Sequence, residues 1–130
     1  MRSIRDAGFT LVELVVVMVI IGILAAIAVP IFLATLDQAR AAALQAALAT
    51  ARLEVALVIV EEEALPAGSE LDEILEAHGD GEMTLALTGS GTDFCIQGVH
   101  ALVDEPWAVT QRNAPVSGAS CAPDGSLVVP

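Results

Sequence analysis

The chain has 130 residues, 55% of them hydrophobic, and a formal net charge of −12. That length accommodates one small domain plus an N-terminal segment, and so acidic a surface repels phosphates, so we expect no direct binding of nucleic acid. The absence of tyrosine, together with three phenylalanines and one tryptophan, excludes a large aromatic core.

The N-terminal segment contains an apolar run that can cross a bilayer. No charged residue occurs in the 23 positions from Leu14 to Leu36, and about 20 apolar residues suffice to span a hydrocarbon core of ~30 Å. Arg2 and Arg5 precede the run, and positive charge at the end of a membrane helix favours the cytoplasmic side. We therefore expect a single span with the C-terminus outside the cytoplasm.

Glu13 places one carboxylate at the start of this apolar run. A charge at the centre of a membrane helix costs roughly 2.5–3.5 kcal/mol on insertion scales, so such residues usually have a partner or a function. We therefore expect Glu13 to have such a partner or function. The alternative is an interfacial acid that only extends toward water.

The hexapeptide GFTLVE at residues 8–13 carries a family resemblance. It closely resembles the processing and assembly motif of type IV prepilins and the related pseudopilins, and the likeness continues through Gly22 and Pro30. The resemblance implies cleavage between Gly8 and Phe9 by a prepilin peptidase, N-methylation of Phe9, and packing of the apolar helices into a filament core. In that core, Phe9 and Glu13 would be the assembly residues, because the amine that cleavage creates at Phe9 of one copy can meet the Glu13 carboxylate of a neighbour.

The resemblance also implies a division of the chain. Residues 1–8 would be a leader peptide, residues 9–36 a transmembrane and polymerisation helix, and residues 37–130 a globular head. Gly22 and Pro30 are weak points of the helix, because proline lacks one backbone donor. In filaments of this family the stretch between these two positions can lose helical order, so we expect a helix break there.

Two other interpretations of the N-terminus are an ordinary secretory signal and a simple membrane anchor. An ordinary secretory signal would be cut near the small residues 26–28, and a simple anchor would not be cut at all. Three features argue against the secretory signal: the acid at Glu13, the continuation of the apolar run to Leu36, and the Gly8–Phe9 junction.

Residues 37–63 are predicted to continue the helix into water as the first element of the head. Positions 39–56 are rich in alanine, the best helix former. Apolar residues recur there at spacings of three and four, which predicts a face that packs on the rest of the head. These residues are Leu44, Leu48, Ala51, Val55 and Val58.

A connecting segment at 64–82 is predicted to contain a short helix from Glu70 to Ala77, with Ser69 as N-cap and Gly79 as stop. From residue 83 the hydrophobic period shifts toward two, which predicts strands at 83–88, 94–100 and 107–111, with a turn at 89–91 and a loop-like tail at 113–122. The chain is therefore predicted to have an α+β fold, in which a long N-terminal α-helix packs on a small antiparallel β-sheet within residues 83–130.

Cys95 and Cys121 both follow the membrane segment. If that part lies outside the cytoplasm, we expect the two to form a disulfide, and many type IV pilins close a C-terminal loop in this way. Two free thiols are the alternative. A zinc site shared with His78 or His100 is disfavoured, because no tight metal-ligand spacing exists.

Other catalytic or binding patterns are weak. Asp80-Gly81-Glu82 and Asp124-Gly125 indicate turns rather than calcium loops, and no nucleophile or phosphate-binding motif occurs. We expect no enzyme activity, no metal and no cofactor.

The resulting prediction is a structural subunit of a type IV pilus. The resemblance implies four partners: copies of the same chain, the prepilin peptidase, an assembly ATPase and an inner-membrane platform protein. Before assembly the chain would lie in the cytoplasmic membrane, and afterwards in a filament on the cell surface. Such filaments serve adhesion, motility, DNA uptake or conduction.

The sequence leaves three other functions open. One is a pseudopilin of a type II secretion or competence system, which forms a short fibre. A second is a minor adhesin or priming subunit, although minor subunits often lack the assembly acid. The third is a soluble secreted binding domain, whose mature N-terminus would lie near Val29.

Overall fold

The computed structural model describes residues 8–130, so the predicted charged leader positions Arg2 and Arg5 lie outside the described residues. The chain forms two compact units, which meet in sequence at Leu36 and Asp37. A long helix is followed by a short helix and a four-stranded antiparallel sheet. The predicted α+β fold class is confirmed.

Helix α1 runs from Leu11 to Glu62 without interruption. It begins two residues after the predicted start at Phe9, because Thr10 caps it and Gly8–Thr10 are not helical. The helix continues through Gly22 and Pro30 in the single chain. Loss of helical order between these residues in a filament stays a prediction.

The half of α1 that belongs to the second unit buries one face. Leu44, Leu48, Ala51 and Val55 are completely buried, and Val58 is partly buried against the same cluster. Their spacing of three and four residues puts them on one side of the helix, so the predicted apolar face is confirmed.

Helix α2 (Ser69–His78) follows, and it packs Ile74 into the core. The predicted N-cap at Ser69 is wrong. The cap position is Gly68, whose positive φ of 61° favours glycine, and no side chain caps the helix. Gly79 ends the helix as predicted, with its N–H donating to the Leu75 carbonyl. Asp80 then forms the expected turn by accepting hydrogen bonds from the backbone of Glu82 and Met83.

The main sheet contains β1 (Met83–Ser90), β2 (Asp93–His100), β3 (Trp107–Thr110) and β4 (Val116–Ser117), in that order. The prediction of a turn at 89–91 is wrong, because Gly89 and Ser90 still pair with β2. The connection is a two-residue hairpin at Gly91 and Thr92, where Gly91 has a φ of 66°. β3 ends at Thr110, one residue before the predicted end.

One face of this sheet packs on α1 and α2. Leu85, Phe94, Ile96 and Val109 join the buried face of α1 in a single hydrophobic core, and Trp107 packs partly buried at its margin. Alternation along the strands sends Cys95 and Ala108 to the opposite face.

The predicted loop-like tail contains short strands instead. β4 lies within it, and β5 (Ser120–Cys121) pairs with β6 (Leu127–Val128) to form a two-stranded sheet. The turn between β5 and β6 includes Gly125, with a φ of 85°, and Asp124 accepts hydrogen bonds from the backbone and hydroxyl of Ser126. Asp124-Gly125 is therefore a turn, as predicted.

Candidate functional site

Glu13 and Thr10 form a reciprocal set of hydrogen bonds at the start of α1. The Thr10 backbone N–H and hydroxyl both donate to Glu13 Oε2, at 2.9 Å and 3.0 Å. In return the Glu13 N–H donates to the Thr10 hydroxyl at 3.2 Å. This is a capping box, in which each residue satisfies a backbone donor of the other.

The Gly8–Phe9 peptide bond lies just before this capping box, in backbone that is not helical. Phe9 is 87% exposed, and no atom of a neighbouring residue lies within 4 Å of where a Gly8 side chain would begin. A protease needs an accessible bond that is not locked in helical hydrogen bonds. The predicted cleavage bond has both properties within the described residues.

The described part of the first unit, residues 8–36, is apolar on every side of the helix. All side chains from Gly8 to Thr35 are exposed, and apolar residues occupy the whole circumference of the helix. A helix that is hydrophobic all round is stable in lipid or when packed by other helices. By length and composition this helix can cross a membrane.

The backbone at Pro30 leaves one acceptor without its usual donor. Proline has no N–H, so the helix lacks the hydrogen bond that would reach the carbonyl four residues earlier, at Ala26. Gly22, one turn before Ala26, has no side chain to restrain the backbone. The predicted break residues thus border the weakest part of the apolar helix.

The second unit holds the other predicted site residues. Cys95 and Cys121 form a disulfide, with their Cα atoms 5.6 Å apart. Cys95 is completely buried with Ala108 and Ala119, and the bond attaches β5 to the outer face of β2. Two polar contacts reinforce it: the Cys121 N–H donates to Gln97, and the Thr88 hydroxyl donates to the Ala122 carbonyl.

The histidines are occupied by other partners. His78 Nε2 contacts the Glu54 carboxylate, and its Nδ1 lies 3.3 Å from the Thr50 hydroxyl, which connects α2 to α1. His100 is buried, and its Nδ1 accepts the Leu102 N–H at 3.1 Å. Because both cysteines are oxidised, neither supplies a thiolate for zinc, and residues 8–130 contain no cluster of three or more metal-binding side chains.

The second unit also exposes a stripe of large apolar side chains on α1. Leu53, Leu57 and Val60 are 62%, 63% and 78% exposed, and their spacing of four and three residues places them on one face. We call these three residues the exposed stripe. The spacing of these residues is visible in the sequence, but which face of the helix the sheet covers is not, so the exposed stripe was not predicted.

The capping role of Thr10 was also missed. Its sequence signal is the pattern of threonine at Thr10 and glutamate at Glu13, three residues apart, directly before an apolar run. We interpreted Glu13 only through its cost in an apolar environment.

These features define a class of protein: one membrane-length helix with a single acid in its first turn, followed in sequence by an acidic, disulfide-closed α+β head. Comparison with known proteins narrows the class. The prokaryotic N-terminal methylation motif matches residues 4–29. Over 89 residues the chain is 40% identical to the type IV narrow pilus major component PilA5 of Thermus thermophilus. The matched region covers 68% of this chain and 73% of that protein. No solved structure matches the chain.

The chain belongs to the type IV pilin family. Members of this family are structural proteins, so the chain is not an enzyme. Membership implies a pilin subunit that lies in a membrane before assembly and in a pilus filament afterwards.

Proposed function

We propose that the chain is stored in the cytoplasmic membrane as a precursor, cut by a prepilin peptidase between Gly8 and Phe9, and polymerised through its N-terminal helix into a type IV pilus. The observation that carries this proposal is the fully exposed apolar helix with one carboxylate, Glu13, in its first turn. Such a surface needs lipid before assembly and neighbouring helices afterwards.

Cleavage supplies a counter-charge for Glu13, which forms no ion pair within residues 8–130. Hydrolysis of the Gly8–Phe9 amide adds one water and releases the carboxylate of Gly8 and the amine of Phe9, which is protonated near neutral pH. N-methylation of Phe9 leaves a protonatable amine in place. In a filament the ammonium of one copy can then contact Glu13 of a neighbour.

This pairing would fix the stagger between copies. An unpaired charge in an apolar core is strongly disfavoured, and a buried ion pair that loses one partner costs about 3–5 kcal/mol. Correct stagger neutralises both groups, whereas a wrong stagger leaves two buried ions. Glu13 therefore fixes the register between neighbouring copies.

The head surfaces fit the same arrangement. The exposed stripe is in contact with water in a monomer, and it offers apolar area that another copy could cover in a filament. After Val60 the chain carries 13 acids and one arginine, Arg112, which favours a water-facing outer surface. The disulfide is of the kind that persists on the oxidising side of a membrane, in agreement with a C-terminus outside the cytoplasm.

Assembly requires energy and a site of insertion, for which the family implies an assembly ATPase and an inner-membrane platform protein. A pseudopilin of a secretion or DNA-uptake system would use the same cleavage and packing. The pilus is favoured because the relative from Thermus thermophilus is named as a major pilus component. Abundant long fibres made mainly of this chain distinguish the pilus from a short pseudopilin fibre and from a minor subunit.

Intact-mass measurement of fibres sheared from cells tests the proposal. We expect a chain that begins at Phe9, carries one added methyl group and lacks two hydrogens because of the disulfide. Electron microscopy of the same sample should show filaments. Cells that express Glu13→Ala or Glu13→Val should carry none on their surface. Fibres whose subunits retain residues 1–8, or a soluble secreted chain that begins near Val29, contradict it.

A further inference from the structure

We propose that Thr10 is a positioning residue, which holds the Glu13 carboxylate in the orientation that receives the ammonium of a second copy. This inference rests on the proposed function, because it concerns how the assembly carboxylate is presented. Thr10 would then affect the entry of subunits into the filament, and it would do so only through its contact with Glu13.

Thr10 uses only one of the two oxygens of the Glu13 carboxylate. Both Thr10 donors, the backbone N–H and the hydroxyl, reach the same atom, Glu13 Oε2. Among residues 8–130, no hydrogen bond or ion pair involves the other oxygen, Oε1. A carboxylate has about four lone-pair sites on two oxygens, so Oε1 can accept an ammonium while Oε2 stays in the capping box.

The capping box also removes freedom that pairing would otherwise have to remove. A glutamate on an exposed helix surface samples many rotamers, and fixing such a side chain has an entropic cost. Two donors on Oε2 fix the carboxylate beside the first turn before any partner arrives. The return bond from the Glu13 N–H to the Thr10 hydroxyl holds that hydroxyl in place.

The side-chain chemistry at this position is specific. Serine keeps the hydroxyl that donates to Oε2 and accepts from the Glu13 N–H, whereas valine has the same shape as threonine and can do neither. Glutamine at position 13 keeps an oxygen that can accept both Thr10 donors, but it has no charge to offer an ammonium. Charge and positioning can therefore be separated by substitution.

Competitive incorporation into fibres tests the inference. Cells co-express one variant and a reference chain. The reference chain carries only the marker substitution Thr92→Ser, in the exposed β1–β2 turn. The variants are Thr10→Ser, Thr10→Val, Glu13→Gln and the double variant Thr10→Val/Glu13→Gln. Mass spectrometry of the proteolytic peptide that contains residue 92 measures the ratio of the two chains in sheared fibres and, for normalisation, among the cleaved chains in the membrane.

Thr35→Val is the matched control. The Thr35 hydroxyl is on the same helix and donates only to the Ile31 carbonyl, so this control makes the same chemical change without touching Glu13. We expect Thr10→Ser and Thr35→Val to enter fibres like the unchanged chain. Thr10→Val should be depleted about fivefold, because the Glu13 side chain then loses rotamer freedom only on pairing, and Glu13→Gln should be depleted more strongly.

The double variant separates positioning from helix stability. If Thr10 acts through the charge of Glu13, removal of the hydroxyl adds nothing once that charge is gone, and the double variant incorporates like Glu13→Gln. A further drop in the double variant, depletion of Thr10→Ser equal to that of Thr10→Val, or full incorporation of Thr10→Val overturns the inference. The proposed function fails separately, if the unchanged chain forms no fibres.

Discussion

Gly98 of β2 lies directly beneath Leu44 of α1, and this contact sets how closely the helix approaches the sheet. A Cβ at position 98 would be 2.7 Å from Leu44 Cδ1, 3.0 Å from Leu85 Cδ2 and 3.2 Å from Leu48 Cδ2. All three leucines are buried, so they have little room to move. A glycine in the middle of this strand lets two layers pack at short range.

We predict that Gly98→Ala lowers the free energy of unfolding by about 1–3 kcal/mol, the usual effect of overfilling a packed core. Trp107 lies partly buried at the margin of this core, so its fluorescence during denaturation of the full chain in detergent reports the change. Gly81→Ala is the control, because no atom lies within 4 Å of its added methyl group. Equal stability of the two variants contradicts the prediction.

Reduction of the disulfide should weaken the head substantially. Cys95 and Cys121 are 26 residues apart, and closing a loop of this size contributes about 3–4 kcal/mol in the chain-entropy model. We expect the Cys95→Ser/Cys121→Ser variant to unfold at much lower denaturant concentration than the oxidised chain. Adding a reductant should shift the unchanged chain toward the variant and leave the variant itself unmoved; a shift in both would point to another cause.

Regular hydrophobic spacing explains which parts of the fold could be predicted from the sequence. The face from Leu44 to Val55 repeats at three and four residues, and β1 alternates, so each pattern pointed to its element. The two-residue strands β4 and β5 were missed because two residues carry no period. Gly68 was missed as a cap because its role depends on a backbone φ angle and not on side-chain chemistry.

The candidate site was predicted in part for the same reason. Glu13 stood out because a lone acid in an apolar run is costly, and that cost is visible in composition alone. The Thr10 contact depends on which carboxylate oxygen is used, which requires coordinates. The exposed stripe likewise required knowledge of which helix face the sheet covers.

The exposed stripe should matter for filaments and not for the fold. Leu53→Glu and Leu57→Glu change side chains that are already more than half exposed, so stability should change by about 0.5 kcal/mol or less. Fibre yield should fall strongly, since a charge would have to be buried against the neighbouring copy. Leu102→Glu, at a β2–β3 loop position that is 50% exposed, is the control. Normal yields from both stripe variants would show that no copy covers this face.

Asp124 should stabilise the β5–β6 turn in a pH-dependent manner. Hydrogen bonds from the Ser126 hydroxyl and backbone N–H lower the pKa of the Asp124 carboxyl below its ordinary value of 3.8. A lowered folded-state pKa means that the stabilisation is present above the unfolded-state pKa and is lost as pH falls through the folded-state pKa. Asp124→Ala should therefore be less stable than the unchanged chain at neutral pH.

The difference between the two chains should disappear in strong acid. Comparing denaturation curves at several pH values isolates Asp124, because the other carboxyl groups titrate in both chains. Asp124→Asn keeps an oxygen that can accept the Ser126 hydrogen bonds, so its stability at neutral pH should lie between those of the unchanged chain and Asp124→Ala. Because asparagine does not titrate, residue 124 should then contribute nothing to the pH dependence. A gap that persists at the lowest pH would mean that lost packing causes the effect of Asp124→Ala.

Pro30 should control whether the apolar helix stays ordered in the filament. The single chain keeps α1 helical through this residue, but the helix lacks the hydrogen bond from position 30 to the Ala26 carbonyl, and proline in a helix interior costs about 3 kcal/mol relative to alanine. Packing against neighbouring helices adds apolar contacts, and these can offset the helical hydrogen bonds lost in a short unwound segment. We therefore predict non-helical backbone between Gly22 and Pro30 in assembled fibres.

Cryo-electron microscopy of fibres from the unchanged chain and from Pro30→Ala tests this prediction. Alanine restores the N–H donor, so the variant should keep a continuous helix through this segment and form stiffer or less abundant fibres. Ala34→Gly, one turn later on the same helix, is the control, because it weakens the helix by only about 1 kcal/mol and removes no donor. Fibres of the unchanged chain with an unbroken helix from Leu11 onward contradict the prediction, since packing in the filament would then tolerate proline as the single chain does.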